Sequence, residues 1–118
     1  LGQVSSVADI EKITEIIRKN NDKYVTQHSF ASKIDLNGIL RILPNCSALQ
    51  IWRFRVAFLS VYNSSNIAEF LSEDLSVLQD FLKGIQDIIA DESIDDKIIK
   101  QQFRWFEKYL GEVISRLN

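Results

Sequence analysis

Methionine is missing from all 118 residues, position 1 included. A natural full-length chain ordinarily starts with one, so this sequence reads as a single domain, residues 1–118, cut from a longer protein. Leu1 and Gly2 are set aside as a tag remnant, and residues 1–5 are expected to be disordered or tag-derived. Cysteine is nearly as scarce. Cys46 stands alone, which excludes an intramolecular disulfide framework, and a lone thiol suits a reducing compartment. The expected setting is therefore intracellular, cytoplasmic or nuclear. One histidine, His28, and one cysteine fall short of the ligands a zinc site needs, so no metal site is expected. The four glycines are scattered and cannot form a Gly-rich phosphate cradle. With only one proline beside them, obligatory turns are few, which favours long helices over a many-turned β-sandwich. Long apolar runs are missing too: Val56-Ala57-Phe58-Leu59 is far shorter than the roughly 20 residues of a membrane span. No cofactor motif and no membrane partner are expected.

What remains is ordinary globular material, 46% hydrophobic and 25% charged. A chain of this length hides roughly two-thirds of its unfolded surface, enough for one core without staples. Net charge is −2 but uneven. Residues 1–60 carry eight Lys/Arg against five Asp/Glu, or +3, and residues 61–118 carry six against eleven, or −5. Asp87, Asp91, Glu92, Asp95 and Asp96 form the densest acidic stretch. That balance speaks against a general binder of nucleic-acid backbones, which needs a basic face.

Periodicity is helical throughout. Ser6 followed by Asp9 marks a helix start, and Val7, Ile10, Ile13 and Ile17 lie on one stripe. The Asn20-Asn21-Asp22 cluster ends that helix, and Tyr24, His28 and Ala31 suggest a weaker one reaching Lys33. Asp35 caps a short turn over 36–43 that Pro44 ends, and Gly38 weakens it by about 1 kcal/mol relative to alanine. Asn45 or Ser47 then caps a segment over 48–62. Its stripe is Leu49, Trp52, Val56, Leu59 and Tyr62, with Ile51, Phe54 and Phe58 off it and Arg53 and Arg55 on the remaining wet face. A helix apolar around most of its circumference is expected at the centre of the fold. After a break at 63–66 and a short step at 67–71, Ser72 caps a helix carrying Leu75, Leu78, Leu82, Ile85 and Ile89. Asp95 or Asp96 caps the last helix, whose buried side is expected to hold Ile98 or Ile99, Gln102, Trp105 with Phe106, Tyr109 with Leu110, Val113 and Leu117. The fold class is all-α: five to six helices in an up-and-down bundle or a short α-solenoid-like stack of helix pairs of the HEAT/ARM type. The three strongest helices are expected to be antiparallel neighbours.

Catalytic chemistry finds no foothold. His28 next to Ser29, or reaching Cys46, lacks the surrounding signature of a hydrolase, and the acidic loop 91–96 lacks the ligand spacing and central glycine of a calcium loop. The chain is not expected to be an enzyme. Arg53, Arg55 and Arg41 could serve a nucleic-acid-associated domain if they were contiguous, although Trp52 and Trp105 are expected as core anchors rather than base-stacking platforms. The positive feature is an excess of aromatics on helical faces. It points to a protein-interaction module of a larger scaffold or regulatory protein, gripping a partner helix or peptide, a basic one included, through an aromatic groove. The residues expected to carry it are Phe103, Arg104 and Glu107 on the last helix, with Asp91 and Asp95 adding charge. Phe103 lies between Lys100 and Glu107, opposite the expected buried stripe, and is expected to be at least partly exposed.

Overall fold

The computed structural model describes residues 2–20, 30–62 and 71–117. Within them lie five α-helices: α1 (Val7–Lys19), α2 (Leu36–Ile42), α3 (Ala48–Ser60), α4 (Leu71–Ala90) and α5 (Lys97–Leu117). Two 3-10 turns, Ala31–Lys33 and Leu43–Asn45, flank α2, and no strand occurs among the described residues. The weaker helix expected before Lys33 falls largely outside the described residues, as do His28, the break at 63–66 and residues 67–70.

Local chemistry fixes most helix ends. The Ser6 hydroxyl accepts from the Asp9 N–H at 3.2 Å, and the Asp9 carboxylate accepts from the Ser5 N–H at 2.9 Å. Ser47 and Gln50 close a reciprocal capping box on α3, satisfying two helix-start donors at once. Asp96 caps α5 by accepting from Ile98 and Ile99. Ser72, expected to cap α4, is instead already helical. At the other end of α4, the Lys100 ammonium donates to the carbonyls of Ile89 and Asp91, 2.6 Å each, covering acceptors the helix cannot satisfy itself.

The N-terminal segment, expected to be loose through residue 5, is tied down. Val4 is buried, and its N–H donates to Asp35 Oδ2 at 3.0 Å. Asp35 also caps α2 through the Gly38 N–H, so one carboxylate fixes both the segment and the helix. These two backbone donors hold its pKa below the ordinary 3.8.

Helix order follows from the contacts. Gln50 at the start of α3 reaches Glu11, whereas Arg18 near the end of α1 faces Ala57 and Ser60, so α1 and α3 run parallel. Arg55 sits against Trp105 and Tyr109, and Leu59 against Val113, so α3 and α5 run parallel as well. Antiparallel to α5, α4 packs behind it, while α2 packs on α1 and α4. The first and third of the strongest helices, α3 and α5, are thus parallel neighbours, with α4 antiparallel to both. The parallel neighbours α1, α3 and α5 lie within an all-α, single-domain bundle.

The core is a ring cluster centred on Phe58. Its ring lies 5.5–6.4 Å from those of Phe30, Phe54, Tyr62, Phe81 and Phe106, drawing together α3, α4, α5 and the segment before α2. The Tyr62 hydroxyl donates to the fully buried Asp74 at 3.0 Å, locking the end of α3 to α4. Burial and the neighbouring carboxylate push the tyrosine pKa far up, so the phenol stays a donor.

Candidate functional site

Of the stripe the spacing favours on α3, only the far end, Leu59 and Tyr62, enters the core. Ile51, Phe54, Phe58 and Tyr62 are inside, while Leu49, Trp52 and Val56 stand in solvent at 53%, 45% and 46% exposure. Both sets have helical spacing, and the partners decide between them. Phe106 from α5, Phe81 from α4 and Phe30 converge on the Phe54/Phe58 side, leaving the opposite ridge uncovered. Trp105, expected to be a core anchor, is also outside, 41% exposed on the α5 flank of that ridge.

A groove runs along each side of the ridge. Between α1 and α3 it has a volume of about 630 Å³, with Trp52, Val56 and Ala57 on one wall and Thr14, Glu15 and Arg18 on the other. Arg18 pairs with Glu15 at 2.6 Å, and this hydrogen bond is the main reason the Glu15 carboxyl lies below its ordinary range. The Arg53 side chain, which also lines the groove, has no hydrogen bond or ion pair among the described residues. Between α3 and α5 a smaller groove of about 310 Å³ is lined by Val56, Leu59 and Val113 with Arg55, Tyr109, Glu112 and Arg116. Two arginines and one glutamate line each groove.

Arg55 is the unusual member. It was expected on the wet face of α3, yet it is only 8% exposed, with its guanidinium carbon 5.9 Å from the Trp105 ring centre and 5.2 Å from that of Tyr109. The two rings lie 6.0 Å apart and supply cation–π attraction where water is scarce. No carboxylate or carbonyl pairs with this guanidinium among the described residues, although burial of an unpaired charge is costly. Burial lowers its pKa, opposed in part by Tyr109, but a guanidinium remains protonated at neutral pH.

The residues expected to form the site are not brought together. Phe103 is fully buried: the inward stripe of α5 is Phe103, Phe106, Leu110, Val113 and Ile114, which keeps Phe106, Leu110 and Val113 of the expected stripe but takes in Phe103 and leaves Trp105 exposed. Its assignment to a partner surface is therefore withdrawn. Arg104 is exposed, and Glu107 lines a broad, open depression between α4 and α5, on another side of the helix from the α3 ridge. Asp91 belongs to the α4–α5 connection, where its carboxylate accepts from the Ser93 N–H and hydroxyl and is held below its ordinary range by those bonds. Asp95 is exposed in the same connection. The arginines considered for nucleic acid are not contiguous either. Arg53 and Arg55 project about 200° apart around α3 and enter opposite grooves, and Arg41 lies on α2.

Cys46 is buried, and desolvation pushes its thiol up to about 11, far from a reactive thiolate at neutral pH. Among the described residues no group of His, Cys, Asp and Glu is placed to hold a metal ion, and no helix is long and apolar enough to cross a membrane. No protein family, curated protein or solved structure matches the chain.

Proposed function

We propose that this domain is a non-enzymatic interaction module of a larger intracellular scaffold or regulatory protein, and that it takes an acidic amphipathic helix of a partner along the outer ridge of α3. The observation that carries this reading is the exposed apolar row Leu49, Trp52 and Val56, three residues on one face of one helix with a groove on either side. Isolated exposed apolar residues need no explanation, but an aligned row containing tryptophan has the make-up of an interaction hot spot. A helix lying in such a groove would present apolar residues at i, i+3, i+4 and i+7 to the ridge. Arg53 and Arg55, one in each flanking groove and neither with a hydrogen bond or ion pair among the described residues, favour carboxylates on the two shoulders of that stripe, not the basic partner the acidic 87–96 stretch first suggests.

The test uses a labelled amphipathic peptide of about 15 residues, matched to the length of α3, with glutamates flanking its apolar stripe. Fluorescence anisotropy should report binding that Trp52→Ser weakens by at least about tenfold, the scale of a hot-spot loss, while the variant keeps its helical circular dichroism and Tm. No binding, or equal binding by Trp52→Ser, overturns the reading. Tighter binding to a DNA oligonucleotide than to the peptide would replace it with a nucleic-acid role.

A further inference from the structure

Resting on the docking reading above, we infer that Arg55, set against the adjoining rings of Trp105 and Tyr109, is the residue that selects for carboxylate in the bound segment. More than nine-tenths of this side chain is buried, and it faces the α3–α5 groove without a hydrogen bond or ion pair among the described residues. Arg55 is only 8% exposed and its guanidinium rests against two neighbouring rings, so much of the freedom an arginine loses on binding is already gone. A planar fork held this way matches a carboxylate, which it meets with two parallel N–H···O bonds.

The surroundings narrow the ligand further. Val56, Leu59 and Val113 make the groove apolar beside the guanidinium, which suits an acidic side chain set next to an aliphatic one on a helix. Glu112 lines the same groove and opposes an incoming anion, and Lys108, 5.5 Å from the Tyr109 ring, partly offsets it. The crowding of apolar walls and the nearby Glu112 favour a singly charged carboxylate over a bulkier, doubly charged phosphate.

Two peptides identical except for glutamate or glutamine on the shoulder facing α5 test the inference. The wild-type chain should prefer the glutamate peptide by about tenfold or more, as expected for a charge-assisted hydrogen bond in a partly dry site. Arg55→Lys, which keeps the charge but loses the fork, should cut that preference to about threefold or less. Trp52→Ser should weaken both peptides alike and leave their ratio standing. In the unmutated protein the Arg55 Nε–H resonance should move on adding the glutamate peptide and hold still with the glutamine one, a readout that needs no variant to fold. An unchanged preference in Arg55→Lys, or an unmoved Nε–H signal while both peptides bind, overturns the carboxylate assignment and leaves the docking ridge intact. Failure of both peptides to bind the wild-type chain removes both readings. Inorganic phosphate that shifts Nε–H and displaces the peptide more effectively than acetate at equal ionic strength assigns the site to phosphate instead.

Discussion

At the scale of single residues, the two tryptophans and the phenylalanines have exchanged the places their size suggests. Phe54 and Phe58 are completely buried in the ring cluster, so Phe54→Ala or Phe58→Ala should cost roughly 3–5 kcal/mol in urea unfolding. Trp52→Ala removes a larger side chain yet should change stability by only about 0.5 kcal/mol, because nearly half of that residue is already in water. A loss from Trp52→Ala as large as from Phe58→Ala would mean that the face of α3 is misassigned. Tyr62 adds a polar counterpart. Tyr62→Phe keeps the ring but removes the donor to buried Asp74, and a loss of roughly 1–3 kcal/mol is expected for that single oxygen. What could be read beforehand divides along the same line. That these aromatics lie on helices and fill a small core was legible from their spacing; which of Trp52 and Phe54 faces inward was not, because α3 carries apolar residues around most of its turn. Phe103 failed for a related reason. The expected stripe paired Phe106 with Trp105 and Leu110 with Tyr109, and only packing of Phe106 against Phe54 and Phe81 shows that the helix turns its Phe103 side inward and Trp105 outward.

Among the elements, α2 shows how a helix of unpromising sequence is held by contacts from elsewhere. Its weak point by propensity, Gly38, is a packing requirement: a Cβ there would lie 2.6 Å from the Val4 carbonyl oxygen and run into the Asp35 carboxylate. Gly38→Ala should therefore destabilise, by roughly 1–3 kcal/mol, despite alanine's advantage in a helix. Gly111→Ala in α5, where a Cβ meets nothing within 4 Å, should stabilise by up to about 1 kcal/mol. Equal and same-signed shifts at the two glycines would contradict the close approach of Val4 to α2. Asp35 ties the same corner together and gives it a pH signature. Its folded pKa lies below 3.8, so its contribution is complete above that value and fades as pH falls through the lower folded pKa. Asp35→Asn should accordingly be less stable than wild type at neutral pH, and the gap should narrow between about pH 5 and pH 2. The Asp35 cap was visible in the sequence, as were Ser6 and Ser47, because capping is local. The tether to Val4 spans 31 positions, and no local pattern announces it.

On the scale of the whole molecule, α2 and α4 cover one side of the α1–α3–α5 layer, and the ridge of α3 with its two grooves is exposed on the other. Charge is arranged on the same plan. The acidic stretch 91–96 gathers at the α4–α5 turn, where Asp91 and Asp96 are already spent on local hydrogen bonds and Lys100 bonds the backbone. Trp105 lies nine positions beyond Asp96, about 13 Å along α5, which exceeds the screening length of roughly 8–10 Å in physiological salt. The turn and the ridge should thus act independently once salt is present. Binding of the glutamate-flanked peptide should weaken several-fold as ionic strength rises from low to physiological, since the attracting arginines lie at or near the surface. Glu92→Gln combined with Asp95→Asn leaves the capping carboxylates in place and removes two exposed negative charges from the turn. At physiological salt that double variant should bind the peptide as wild type does, and at low salt it should bind somewhat tighter, because a distant repulsion has been lifted. A drop in affinity at either salt concentration would place the acidic turn in the contact and move the partner from the ridge of α3 to the end of the α4–α5 hairpin.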